Sequence, residues 1–342
     1  MVRFGLEFVP RELFWKTTYY AIQADKGLFD NIWITDHFTN RNVYVTLTMI
    51  LVYTDRITVG TGVTNPYLSH PLVTAGAICS LNEIGPGRVV CGIGVGDRTT
   101  LEQAGIPMQK PLAAIRESVY IIREMTSGRS IKNFAGQVYK VPGAKLSFKV
   151  GKPVPIYIGA QGPKMLELAA EIGDGVLINA SHPKDIETAM KHIKDGVSKA
   201  NKPLESVDVA AYTSFSVDEN PKKALKAAVP VVAFIVAGCP DPVLEKHDIK
   251  PELGAKIRES LVKGNLGEAF SQVTPEMVDS FAVAGTPNEC IEKIAAIIKT
   301  GATQIVAGSP IGPNIRRSIN ILTTQIIPHF KEVEKPQALQ KI

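Results

Sequence analysis

The strongest constraint on this chain is a rhythm. A short apolar run rich in β-branched residues is followed by a longer stretch with helical spacing, and this repeats about eight times. The runs are residues 3–9, 31–35, 56–63, 88–94, 154–159, 176–178, 207–217 and 302–307. They do not alternate between apolar and polar, which is the pattern of strands covered on both faces. Between them, apolar residues recur at helical spacing, as in Ile115, Val119 and Ile122, or Met165, Leu168, Ala169 and Ile172. Pro71 near the start of one such stretch and Gly85 after its end are the usual punctuation. Parallel strands joined by helices are predicted, and eight units favour closure into a (β/α)8 TIM barrel over an open sheet. Two stretches break the rhythm. Residues 129–148 read as an inserted hairpin and residues 238–282 as a second, mostly helical insertion. The chain is thus expected to form one barrel domain over residues 1–330, followed by a polar tail at 331–342.

Composition removes several functional classes. Of 342 residues, 45% are hydrophobic and 21% charged, which excludes wholesale disorder. The net charge, 38 − 33 = +5, comes without any long basic block, so no nucleic-acid partner is expected. No apolar run reaches the roughly 18–20 residues needed to span a bilayer, so no membrane partner is expected either. The first nine residues are too short and too charged for a signal peptide and read as the first strand. Cys79, Cys91, Cys239 and Cys290 form no CxxC pair and sit in apolar contexts, the usage of a reducing cytoplasm. The six histidines show no HxxxH spacing, and no metal site is expected.

Barrels of this kind collect their active groups at the C-terminal ends of the strands. That rule selects Glu7, Asp36-His37, Gly62-Val63-Thr64, Gly94-Val95-Gly96-Asp97, Gly159-Ala160-Gln161-Gly162 and Asn179. Glu7 is either a solvated or paired carboxylate, or a pocket acid with a raised pKa suited to proton transfer. Asp36-His37 either caps the segment before the next helix or serves a site. Asp97 is either a turn or cap residue or a site group. Gly92-Ile93-Gly94-Val95-Gly96 lacks the G-x-G-x-x-G spacing of a dinucleotide fingerprint and follows the fourth strand, not the first. It reads better as backbone that allows a flat ring to approach. Gly159-Ala160-Gln161-Gly162-Pro163-Lys164 is either a plain tight turn or an anion cradle at a helix N-terminus.

Taken together, Thr35-Asp36-His37-Phe38, Gly60-Thr61-Gly62-Val63-Thr64-Asn65-Pro66, Cys91-Gly92-Ile93-Gly94-Val95-Gly96-Asp97, Tyr157-Ile158-Gly159-Ala160-Gln161-Gly162-Pro163 and Gly173-Asp174-Gly175 resemble the bacterial-luciferase-like family of flavin and deazaflavin barrels. The order and spacing match over essentially the whole chain. Within that family, residues 3–10 and 35–43 resemble the F420-dependent methylenetetrahydromethanopterin reductases of methanogenic archaea. The resemblance implies an oxidoreductase that uses reduced coenzyme F420, a deazaflavin, to reduce a methylene group on tetrahydromethanopterin to methyl.

The resemblance also implies residue roles. Asp36 and His37 would lie by the deazaflavin ring. Gly62, Val63 and Thr64 would form a bulge behind it, with a cis peptide between Gly62 and Val63. Val95, Gly96 and Asp97 would face the ring. Gln161, Gly162, Lys164 and Met165 would hold the cofactor phosphate, with Asn179 nearby. The reaction needs one acid and close stacking of donor on acceptor. Glu7 is the first choice for that acid, and Asp97 the second catalytic residue, positioning or stabilising charge. Related sugar-phosphate and alcohol dehydrogenases place a glutamate at the Asp97 position. The alcohol enzymes also carry a tryptophan where this chain has Asn40-Arg41-Asn42, which points away from His37 as an acid/base for alcohols. The alternatives are another F420-dependent dehydrogenase such as a secondary alcohol dehydrogenase, an FMN-dependent monooxygenase, or a non-catalytic flavin-binding protein. A homodimer or homotetramer is expected, from the apolar faces of the second and third helices and from the resemblance.

Overall fold

The computed structural model describes residues 1–331; the expected tail lies outside the described residues apart from Lys331. The chain forms two compact units, one of residues 3–179 and 188–210, the other of residues 1–2, 180–187 and Ala211 onward.

The first unit begins with β1 (Arg3–Phe8), α1 (Phe14–Lys26), β2 (Asn31–Ile34), α2 (Val43–Tyr53), β3 (Thr58–Thr61), α3 (Pro71–Ile84) and β4 (Val89–Ile93). It continues through α4 (Arg98–Gln103), α5 (Pro111–Thr126), β5 (Ile131–Ala135), β6 (Lys140–Ala144), β7 (Ile156–Gly159), α6 (Pro163–Ile172) and β8 (Gly175–Asn179); α7 (Pro183–Lys199) follows. Strands β1, β2, β3, β4, β7 and β8 are neighbours in that order, each parallel to the next. β5 and β6 pair with each other as an antiparallel hairpin in the stretch where the rhythm breaks.

Alternation along the strands decides what each sheet face carries. Phe4, Leu6 and Phe8 on β1 and Ile32 and Ile34 on β2 are buried on one face. The opposite face carries Glu7, Trp33 and Gly60, which stand side by side in register. Here the glycines are dictated by volume. A Cβ on Gly60 would come within 2.7 Å of the Trp33 ring, and one on Gly175 within 2.5 Å of the Tyr157 ring. A Cβ on Gly92 would overlap the Thr61 carbonyl oxygen at 1.9 Å. Trp33 and Tyr157 fill the space, with ring centroids 5.3 Å apart. Below them, Arg3 pairs with Asp208 at 2.5 Å and donates to the Tyr157 hydroxyl at 3.1 Å, and that hydroxyl donates to Asp208 at 3.1 Å. The charges of Arg3 and Asp208 are thus paired, as burial demands.

The hairpin is fastened to the body of the unit by one carboxylate. Glu117 of α5 accepts from the backbone amides of Gln137, Val138 and Tyr139, at 2.6, 3.0 and 2.8 Å. Tyr139 then donates its hydroxyl to the Pro66 carbonyl at 2.8 Å, bracing the loop after β3.

The second unit contains most of β9 (Asp208–Val217), then α8 (Pro221–Gly238), α9 (Asp241–Lys246), α10 (Pro251–Val262), α11 (Leu266–Ser271) and α12 (Pro275–Phe281). After these come β10 (Val283–Gly285), α13 (Pro287–Lys299), β11 (Gln304–Ile311), α14 (Ile315–Ile321), a π-helical stretch over Leu322–Ile326, and α15 (Ile327–Phe330). β9 lies between β10 and β11. The helices from α9 to α12 pack on α8 around Val232, Val236, Leu244, Ile257, Met277 and Phe281. The segment expected to be mostly helical is so. Among the short elements absent from the sequence reading are α4, β10 and the π-helical turn. No helix among the described residues is long and apolar enough to cross a membrane.

Candidate active site

All the residues selected at strand ends fall in the first unit. Glu7 is buried, 4% exposed, on the face that also carries Trp33 and Gly60. Gly62 directly follows the last residue of β3. The expected cis peptide between Gly62 and Val63 is present. The chain bulges there and is knitted back at once. The Gly62 amide donates to Ile34 and the Thr64 amide to Gly92, while the Gly94 amide donates to the Thr64 carbonyl. The Val63 side chain lies over two glycines: a Cβ on Gly94 would meet it at 2.8 Å, and one on Gly159 at 3.4 Å. Three strand ends therefore meet in a floor built from a valine and bare backbone.

Thr64 also donates its hydroxyl to Asp36 Oδ2 at 2.7 Å. Asp36 is half-buried, and burial pushes its carboxyl above the ordinary range, opposed by the Thr64 hydrogen bond and by His37. His37 enters a different network. Thr100 uses its one hydroxyl proton on Asp97 Oδ2 at 2.7 Å, so the 2.9 Å contact between His37 Nε2 and Thr100 Oγ1 has the imidazole as donor. His37 Nδ1 then accepts from the Thr39 hydroxyl at 2.7 Å. This tautomer follows from the hydrogen-bond network. Both ring nitrogens are engaged in holding the loop, which leaves neither poised for proton transfer to a ligand.

Asp97 is the N-cap of α4. It is exposed, and it accepts from the Thr100 amide at 2.8 Å as well as from the Thr100 hydroxyl. Of the two readings open in the sequence, the geometry displays the cap. Gly96 has φ +78°, a conformation that favours glycine, and a Cβ there would press on Asn65 at 3.2 Å. Val95 is half-buried between these residues and the Gly94 floor.

At the end of β7, Gly162 is the N-cap of the ten-residue α6 and supplies no side chain to cap it. Pro163 occupies the first turn, Gln161 and Lys164 are exposed, and Met165 is half-buried. Nothing lies within 4 Å of a Cβ built on Gly162. Asn179, the last residue of β8, is exposed. Asp36 is joined to Thr64 by a hydrogen bond, and His37 to Asp97 through Thr100. Sequence reasoning passed over Thr100, which joins His37 to Asp97; the Asp97-x-x-Thr100 spacing of a helix cap was the available signal. It also passed over Trp33 and Tyr44, whose roles depend on what other strands and helices place beside them.

The chain belongs to the luciferase-like monooxygenase family, whose pattern matches residues 15–304. It has that family's (β/α)8 barrel fold. It is 51% identical to the 5,10-methylenetetrahydromethanopterin reductase of Archaeoglobus fulgidus over 96% of this chain and 100% of that one. It is 50% identical to the reductase of the same name from Methanolobus tindarius, over 95% of this chain and 99% of that one. Among solved structures it resembles the coenzyme F420-dependent tetrahydromethanopterin reductase from Methanopyrus kandleri, with a TM-score of 0.93 and 39% identity, covering 96% of this chain and 99% of that one.

Proposed function

We infer that this chain is an oxidoreductase that reduces methylene-tetrahydromethanopterin to methyl-tetrahydromethanopterin with reduced coenzyme F420. The observation that carries this reading is the full-length likeness to the Archaeoglobus reductase, 51% identity with both chains covered almost end to end. The residues present suit a flat deazaflavin. The floor of Val63 over Gly94 and Gly159 is apolar and closely packed, and a side chain on either glycine would crowd it. The side-chain-free N-terminus of α6, with Lys164 beside it, suits the cofactor's phosphate.

When bound, reduced F420 supplies the hydride. Val63, Gly94 and Gly159 would hold its ring from one side and exclude water there, with Val95, Gly96 and Asp36 beside it. His37 fixes the Asp36 loop through Thr100 and Asp97. Gln161, Gly162, Lys164 and Met165 would hold the phosphate, with Asn179 at the neighbouring strand end. Glu7 holds the proton needed at the substrate. The methylene carbon bridges two ring nitrogens; protonation of one by the Glu7 carboxyl opens that ring and leaves an iminium carbon, a good hydride acceptor. Asp97 contributes structure and negative charge, not the proton. Mixing the protein with reduced F420 and methylene-tetrahydromethanopterin should restore the absorbance of oxidised F420 in step with methyl product. Restoration by a ketone, with a secondary alcohol as product and without pterin turnover, would overturn the reading.

The chain works as a single barrel domain over residues 1–330 with insertions near 129–148 and 238–282. It acts as a homodimer or homotetramer. Val45, Val52 and Tyr53 of α2 and Val73 and Ile84 of α3 are exposed on two neighbouring helices, a surface that a second copy would cover. The enzyme resides in the cytoplasm, in keeping with four free cysteines.

A further inference from the structure

The hydroxyl of Tyr44 occupies an unusual place. Tyr44 is in the first turn of α2, where the Asn42 side chain accepts its amide at 3.0 Å and so fixes its backbone. Its hydroxyl oxygen is buried and meets no hydrogen-bond partner in good geometry among the described residues. The Thr74 and Thr64 hydroxyls are nevertheless close enough to act on it, and Cys91 and Asp36 lie near enough to influence it by charge. Burial pushes the Tyr44 phenol up to about 12, so it stays a neutral O–H throughout the working range. A buried hydroxyl left without a partner is costly, and phenylalanine would fill the same space without that cost.

We infer that Tyr44 is a positioning residue for Asp36: its hydroxyl turns onto Thr64 Oγ1 and commits the single Thr64 proton to the Asp36 carboxylate. The inference rests on the reading of Asp36 as part of the cofactor site. A hydroxyl carries one proton and two lone pairs. Thr64 already gives its proton to Asp36 at 2.7 Å, so an incoming donor can only meet its lone pairs. A donor there polarises the Thr64 O–H and strengthens the bond to the carboxylate. The Thr64 backbone is pinned to β4 on both sides, so its hydroxyl has little freedom to follow a ligand elsewhere. The titratable groups facing Asp36 and this pair are His37 on the same loop, Tyr44 from α2 and Cys91 from β4. Hydrogen bonding to a charged carboxylate favours that form. Loss of the Tyr44 hydroxyl therefore makes Asp36 ionise at higher pH.

The test compares the full-length protein with Tyr44→Phe, Thr64→Val and Asp36→Asn. The dissociation constant of oxidised F420 is followed by fluorescence across the acid-to-neutral range, together with thermal midpoints. Thr64→Val should move the pH midpoint of binding upward, and Tyr44→Phe should move it the same way by about half a unit. The thermal midpoint of Tyr44→Phe should stay level or rise. An unmoved pH midpoint in Tyr44→Phe, beside a shifted one in Thr64→Val, overturns the role of Tyr44 and leaves Asp36 in place. A lowered thermal midpoint with an unmoved pH midpoint means the hydroxyl is only structural, and likewise overturns it. If Asp36→Asn keeps the wild-type pH dependence, Asp36 is not the titrating group, and the reading of the site falls along with the inference.

Discussion

Asp97 Oδ2 takes both protons that Thr100 offers, the amide at 2.8 Å and the hydroxyl at 2.7 Å. That relationship makes Asp97 a helix cap first, and it reaches His37 through the same threonine oxygen. Asparagine is as good a cap as aspartate, whereas alanine is not, and loss of a cap typically costs about 1 kcal/mol. Asp97→Asn should keep nearly the full thermal midpoint, and Asp97→Ala should lower it. Neither should reduce kcat as far as a change at Glu7 does. Turnover abolished by Asp97→Asn in a fully folded protein would exchange the two roles.

Glu7→Gln retains shape and hydrogen bonding but removes a transferable proton. General acid catalysis contributes about 10²–10⁴-fold. Steady-state kinetics should show kcat reduced by about that factor, with the affinity for F420 nearly unchanged. Wild-type turnover in Glu7→Gln would mean that solvent or substrate provides the proton.

Gly162 has open space where a side chain would go. Gly162→Leu should therefore fold normally, with an unchanged thermal midpoint, while F420 affinity falls by about tenfold or more, a loss of about 1.4 kcal/mol. Gly92→Ala provides the contrast. Its Cβ has no room beside the Thr61 carbonyl, and the expected result is poor folding whatever the ligand. Equal affinity in folded Gly162→Leu would remove the phosphate from this turn.

The thiols provide a pH statement. Burial pushes Cys79 and Cys239 up to about 11 and Cys91 and Cys290 up to about 12. A raised thiol pKa favours the neutral form, and only the thiolate reacts, so at neutral pH the reactive fraction is on the order of 10⁻⁴ or less. Iodoacetamide should leave all four unmodified in the native protein at pH 7 and alkylate all four after unfolding, as read by intact mass. Rapid native alkylation at neutral pH would show that one of these sites opens.

Self-association should depend on the exposed faces of α2 and α3. Val52→Lys combined with Val73→Lys puts two charges where a partner copy would have to bury them. Light scattering should report a smaller species for the variant than for the wild type. An unchanged mass would place the interface elsewhere.

Much of the fold could be read locally. Eight non-alternating apolar runs with helical spacing between them are short-range patterns, and most strands and long helices lie within a few residues of where that spacing predicts them. β10 and α4 were not legible. β10 exists because Val283, Ala284 and Gly285 pair with Phe215, Ser216 and Val217, and nothing in three residues states such a partner. α4 is one turn and a half held by the Asp97 cap, and its sequence reads equally well as a turn.

The site divides along the same line. The sequence alone determined which residues stand at strand ends, because strand periodicity is local, and it supplied the Gly62–Val63 bulge through its resemblance to a family. Only the tertiary structure decided what those residues do. Glu7 and Asp97 are both carboxylates at strand ends, yet one is buried beside Trp33 and the other is exposed at the start of a helix. Gly60, Gly92 and Gly175 have no local pattern that explains them, but they are required because neighbouring strands bring Trp33, the Thr61 carbonyl and Tyr157 against them. Burial and close contact depend on residues tens of positions away in the chain, and that distance is what a local pattern cannot carry.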